Sequence, residues 1–189
     1  DYSFYKRLLE QAAEKAAVDV WAYCLMPNHV HFVVVPKQKD SLAQFFSDAH
    51  RRYTRFINKR QGWQGHLWQE RFHSSAMDET YLRAAVRYTE LNPVRAKLCS
   101  SPEQWPWSSV HAHLSGKNDS LVTVEPMLQR VDDWAEYLDS DAADDEWDTI
   151  RRHAKTGRPM GGNAFISALE EVTDRQLLKA RPGRKRGIK

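Results

Sequence analysis

The sequence predicts an α+β fold: an antiparallel sheet built on a β-hairpin, with amphipathic helices around it and a helical extension behind it. Three observations carry that expectation. Two runs rich in β-branched and aromatic residues, 18–26 and 29–35, are separated only by Pro27-Asn28, a turn dipeptide. Apolar residues recur at helical spacing on both sides of that hairpin. The chain beyond residue 116 shows helical patterns and no strand pattern.

The elements follow in order. Tyr5, Leu8, Leu9, Ala12, Ala13, Ala16 and Ala17 mark a first helix. Val18 to Met26 reads as a strand, and His29 to Val35 as its partner, stopped by Pro36. Ser41 is placed to cap a helix to about Arg60, with Leu42, Phe45, Phe46, Ala49, Tyr53, Phe56 and Ile57 as its apolar stripe. Gly62 and Gly65 bracket a loop. Leu67 to Met77 reads as a further strand. Asp78 caps a third helix from Glu79 to about Leu91, which Asn92-Pro93 is expected to break or kink. Ser100 to Trp107 is a packed connector. Helices are expected at 124–138, 144–155 and, capped by Asn163, to about Ala180. The segment 181–189 is a basic tail. The domain reading is a catalytic domain at 1–116, a helical C-terminal extension at 117–180 and the tail.

The 189 residues are 41% hydrophobic and 28% charged, enough for a core. No run approaches the ~18 apolar residues of a membrane span. No signal-peptide pattern opens the chain. Two cysteines without a CxxC argue against a disulfide framework or zinc knuckle and fit a reducing cytoplasm.

Net charge is only +3, but it is unevenly spread. The stretch 132–148 is acidic. Arg51, Arg52, Arg55, Lys59 and Arg60 cluster on one helix, and no acid follows Asp174. Clustered cations attract phosphate backbones through counterion release. The plainer reading is solvated helix faces.

Three constellations bear on chemistry. In His29-Val30-His31, residues i and i+2 of a strand share a face, which sets two imidazoles side by side. They are either two ligands of one divalent metal or two half-exposed strand histidines. A second such pair, His111 and His113, reads as an exposed helix end.

Tyr88 and Asn92 share a helix face four residues apart. Two imidazoles and one amide oxygen leave coordination positions open, which suits Mg²⁺ or Mn²⁺ better than a closed zinc site. A phenol, with a reference pKa of ~10, is a weak nucleophile at neutral pH. A metal that polarises the scissile phosphate eases that problem. Attack leaves a 5′-phosphotyrosine and a free 3′-hydroxyl. Tyr81, seven residues earlier, is the competing nucleophile, and core packing is the plain role for either tyrosine.

The third constellation interleaves cations and aromatics from Arg51 to Phe72, including Tyr53, Trp63, Trp68 and Arg71. Such mixtures bind single strands by stacking and phosphate contacts. They also serve as packing.

Several stretches resemble HUH single-tyrosine transposases. Ala22-Tyr-Cys-Leu-Met-Pro-Asn-His-Val-His-Phe-Val-Val looks like the family's signature strand pair. Tyr81 to Leu98, containing Tyr88-Thr-Glu-Leu-Asn-Pro, looks like its tyrosine helix. Arg51-Arg-Tyr-Thr-Arg-Phe-Ile-Asn, Gly65-His-Leu-Trp-Gln-Glu-Arg-Phe, Trp105-Pro-Trp-Ser-Ser and Thr156-Gly-Arg-Pro-Met-Gly complete a set most similar to REP-associated tyrosine transposases of bacteria. The resemblance is close from about 18 to 116 and looser to 170.

That resemblance implies a ferredoxin-like antiparallel sheet with helices on one face. It implies Tyr88 as nucleophile, His29 and His31 as ligands of Mg²⁺ or Mn²⁺, and Asn92 as the third ligand. It implies a transposase and endonuclease that cleaves and rejoins single-stranded DNA at hairpin-forming repeats in a bacterial cytoplasm. Arg51, Arg52, Arg55, Arg71 and Arg95 are the DNA-contacting candidates. The family includes monomers and dimers, so a homodimer is among the expected assemblies.

Relatives carry a strand and an Arg-rich segment before the first helix. This chain opens directly into that helix, so the expectation is a piece of a longer reading frame lacking a central strand. Two other functions fit some of these residues: a non-catalytic binder of DNA hairpins, and a rolling-circle or mobilisation nuclease with the same metal and tyrosine logic.

Overall fold

A computed structural model describes residues 1–140 and 144–178. Its elements are α1 (Tyr2–Ala16), β1 (Val18–Leu25), β2 (Val30–Pro36), α2 (Ser41–Gln61), α3 (Glu79–Arg95), a 3₁₀ turn (Pro102–Gln104), α4 (Val110–Ser115), α5 (Glu125–Leu128), α6 (Trp134–Asp139), α7 (Asp144–Thr156) and α8 (Asn163–Thr173). The α+β class, the antiparallel sheet and the C-terminal helices are as the sequence predicts. The basic tail expected at 181–189 lies outside the described residues.

β1 and β2 form the expected hairpin, with Leu25 opposite Val30 and Val18 opposite Pro36. The amide of Met26 donates to the His29 carbonyl at 2.9 Å and closes the turn over Pro27-Asn28. A bulge at Trp21 shifts the alternation between Val20 and Ala22. Val18, Val20, Tyr23 and Leu25 therefore face one side, with α1 and α2. Ala22 and Val33 face the other, with Leu82, Ala85 and Val86 of α3. Helices thus cover both faces of the sheet, where one covered face was expected. Phe45, fully buried on α2, meets the Phe32 ring at 5.7 Å and joins α2 to the hairpin.

The outer edge of β1 is satisfied by the connector. Leu25 N–H donates to the Trp107 carbonyl at 2.8 Å, and Ser109 N–H donates to that of Tyr23 at 2.9 Å. The Trp105 indole N–H reaches the Leu25 carbonyl at 3.1 Å, and Tyr2 stacks on Trp107. These bonds explain why the Trp-Pro-Trp segment packs tightly without being a strand.

Four expectations need correction. The segment 67–77 is no strand; it contributes one bridge, Met77 to Met160. Its aromatics serve packing: Trp68 stacks on His50 at 4.0 Å and Phe72 on Phe46 at 4.6 Å, both on α2. α3 runs on through Pro93 to Arg95, past the end expected at about Leu91 and the break or kink expected at Asn92-Pro93. Pro93 forfeits one helical hydrogen bond, and its burial against the core offsets that cost. The helix expected at 124–138 is two short ones. Asp133 caps the second by accepting from Glu136 N–H at 3.0 Å. α8 ends at Thr173 because Asp174 turns left-handed (φ 50°), and Glu170 then accepts from the amides of Leu177 and Leu178.

Candidate active site

The hairpin turn and α3 bring four of the residues singled out from sequence to one place. His29 ends the turn, and His31 lies on β2 facing α3. Their Nε2 atoms are 3.0 Å apart. The Asn92 amide lies 2.9 Å from Nε2 of His31. The Tyr88 ring meets the His31 imidazole edge-on at 5.5 Å. One helical turn separates Tyr88 from Asn92, and α3 packs on both strands, so both side chains reach the hairpin end that carries the histidines.

Arg95 joins them one further turn along, its guanidinium 5.8 Å from the Tyr88 ring centroid. Arg51, Arg52 and Arg55 sit on α2, across the sheet from α3. Arg51 and Arg52 pair with Asp48 at 3.1 and 3.4 Å, Arg52 also reaches Gln11, and Arg55 is exposed. Arg71 is exposed beside Trp68 and Phe72 in a hollow of about 630 Å³ between α2 and the 66–72 segment. Tyr81 packs beside Ala84, Ile150 and Met160.

The surroundings of the two histidines bear on whether they could hold a metal. Asn28 Oδ1 accepts a hydrogen bond from His29 Nδ1 at 2.7 Å. That commits the Nδ1 proton and leaves Nε2 of neutral His29 as a lone pair. Burial lowers the His29 pKa below its ordinary value; burial, then the neighbouring His29, brings His31 down to about 4. Both rings are therefore neutral near pH 7, the form that binds metal. With their Nε2 atoms 3.0 Å apart, the two rings could hold one ion between them. Turning the Asn92 amide over brings its Oδ1 to the same point, since the two amide orientations are isosteric. Two imidazoles and an amide oxygen fit a hard divalent ion with open positions. Among the described residues, no group of three or more His, Cys, Asp or Glu side chains is placed to hold a metal.

Sequence reading missed a buried network one residue pair away. Glu90, fully buried between Tyr88 and Asn92 in sequence, accepts from Ser109 Oγ at 2.5 Å, His113 Nδ1 at 2.7 Å and Trp134 Nε1 at 2.9 Å. Ser109 Oγ in turn accepts from the Tyr23 amide at 3.0 Å, tying α3 to β1. His113 is 1% exposed and stacks on Trp134 at 4.0 Å. The exposed helix end expected for His111 and His113 therefore holds for His111 alone. Two further residues were passed over. Asn28 carried a signal, being adjacent to His29 in a turn; Trp147, which packs on Tyr88 at 5.4 Å, carried none.

Residues 1–92 match a family model described as "Transposase IS200 like". The matched span contains His29, His31, Tyr88 and Asn92. This part of the chain is thus similar to IS200-like transposases. Neither the curated proteins nor the solved structures compared gave a match. No helix among the described residues is long and apolar enough to cross a membrane.

Proposed function

We propose that this chain is a metal-dependent transposase that cleaves and rejoins single-stranded DNA beside hairpin-forming repeats, in the manner of REP-associated members of its family. The observation that carries the reading is the placement of Tyr88 edge-on to His31, whose Nε2 also meets His29 and Asn92. A nucleophile and a ligand set converge where a phosphate could bridge them.

In the forward step the Tyr88 oxygen attacks the scissile phosphorus, the bond to the 3′-oxygen breaks, and the phenol proton is lost. The 3′-oxygen leaves as a hydroxyl, and the 5′-phosphate stays on Tyr88. Rejoining reverses this: a 3′-hydroxyl attacks the phosphotyrosine and the phenol is regenerated. A bound Mg²⁺ or Mn²⁺ supplies charge neutralisation at the phosphate. His29, His31 and Asn92 would hold that ion. Arg95, beside the Tyr88 ring, would offer a phosphate oxygen a fixed positive charge.

The test is peptide mapping. Full-length protein is incubated with a single-stranded oligonucleotide carrying a hairpin, with Mn²⁺, and digested. Trypsin cuts after Arg83 and Arg87, so Tyr81 and Tyr88 fall in different peptides. The expected result is DNA on the peptide beginning at Tyr88. Binding without any adduct, under Mg²⁺ or Mn²⁺, would favour a non-catalytic hairpin binder instead.

A further inference from the structure

The surroundings of Tyr88 include a helix far outside the span that matches transposases. Trp147, on α7, is 6% exposed and meets the Tyr88 ring at 5.4 Å. The Arg95 guanidinium lies over the same indole at 4.4 Å, closer than to the Tyr88 ring itself. The Arg87 guanidinium lies over the indole at 5.6 Å. One residue of α7 thus touches both the candidate nucleophile and the cation beside it. Ile150, one turn further along α7, is buried with Ala84 of α3 and Met160, so the helix is anchored where Trp147 needs it.

These contacts have a mechanical consequence. A phenol on a helix surface can swing about two side-chain torsions, whereas in-line attack tolerates little displacement of the oxygen. His31 limits the Tyr88 ring on the side of the hairpin. Trp147 packs against the same ring at 5.4 Å and restricts it further. A guanidinium held over an indole keeps its charge and N–H groups while losing freedom, so the same ring also fixes Arg95.

We propose that Trp147 is a positioning residue of the cleavage site. α7 holds Tyr88 and Arg95 in register with His31 and Asn92, and the helical segment after residue 116 is part of the catalytic unit. The proposal rests on Tyr88 being the nucleophile, and its test separates the two claims.

The experiment pairs a rate with a spectrum. Single-turnover cleavage and affinity for one hairpin oligonucleotide are measured for the wild type, Trp147→Ala and Trp147→Phe. In parallel, all tyrosines are replaced by 3-fluorotyrosine, and the Tyr88 resonance is assigned by its loss in Tyr88→Phe. The expected result is a cleavage rate lowered about 100-fold in Trp147→Ala, DNA affinity within about twofold of wild type, and most of the rate restored by Trp147→Phe. The Tyr88 fluorine resonance moves in Trp147→Ala, and that of Tyr5, on the far face of the sheet, does not. Wild-type cleavage by Trp147→Ala, a proportional loss of affinity and rate, or an unmoved Tyr88 resonance overturns the proposal. If the wild type makes no adduct while the resonance moves in Trp147→Ala, the nuclease reading fails and the packing of Tyr88 by α7 stands. Should Trp147→Ala fail to fold, Trp147→Phe and Trp147→Leu decide the matter: equal rates for the two overturn it, since only the aromatic ring can hold Arg95.

Discussion

Nε2 of His29 and Nε2 of His31 face each other at 3.0 Å. Asn28 Oδ1 accepts a hydrogen bond from His29 Nδ1, and the Asn92 amide lies 2.9 Å from His31 Nε2. Burial makes either ring reluctant to protonate. Neutral imidazoles this close could share one cation, the role proposed for them.

Asn28→Ala should release the His29 tautomer. Mn²⁺ affinity of the DNA-free protein, read by titration calorimetry, falls about tenfold with the thermal midpoint unchanged. Unchanged affinity would mean that Asn28 plays no part in presenting the ligand.

Glu90→Ala should destabilise the fold by about 3–5 kcal/mol in urea unfolding, because three buried donors lose their acceptor at once. Glu90→Gln keeps the shape and one acceptor oxygen, so it costs less. Equal midpoints for Glu90→Ala and wild type would show that the Ser109, His113 and Trp134 contacts contribute nothing net.

Acid should weaken the fold through histidines held neutral. Burial lowers His50 to about 4. The unfolded chain, with an ordinary imidazole pKa of ~6.5, binds more protons in the interval between. His50 therefore contributes stability above about pH 6.5 that is lost as pH falls toward 4, and His31 adds to the same slope. His50→Phe keeps the ring packing on Trp68 and flattens the urea midpoint between pH 6.5 and 4. A slope identical to wild type would contradict the assignment.

If α2 contributes phosphate contacts, binding should be salt-dependent through it. Replacing Arg51, Arg52 and Arg55 by Gln reduces the slope of log affinity against log salt by up to ~2, since each single-strand contact contributes ~0.7. The cleavage rate at saturating DNA should not change, because those residues stand across the sheet from Tyr88. An unchanged slope would remove them from the interface.

Much of this arrangement was legible because it is local. The hairpin follows from two β-rich runs around Pro27-Asn28, and the Tyr88–Asn92 face follows from helical spacing. What stayed hidden depends on contacts distant in sequence. Trp68 and Phe72 gave a strand-like pattern to 67–77, yet their partners are the side chains of His50 and Phe46 and not a neighbouring strand. Pro93 signals a helix end, but tertiary burial carries α3 past it. His113 looked exposed because its partners, Glu90 and Trp134, lie 23 residues before it and 21 after it in the sequence. Trp147 reaches Tyr88 across 59 positions with no spacing rule to announce it.

The central claim is that Tyr88 is the nucleophile of a metal site formed by His29, His31 and Asn92. It is tested most directly by comparing Tyr88→Phe with Tyr81→Phe on a single-stranded hairpin oligonucleotide with Mn²⁺. Denaturing gels read the covalent protein–DNA adduct. The account predicts that Tyr88→Phe abolishes the adduct while Tyr81→Phe retains it. An adduct that persists in Tyr88→Phe and disappears in Tyr81→Phe would contradict it.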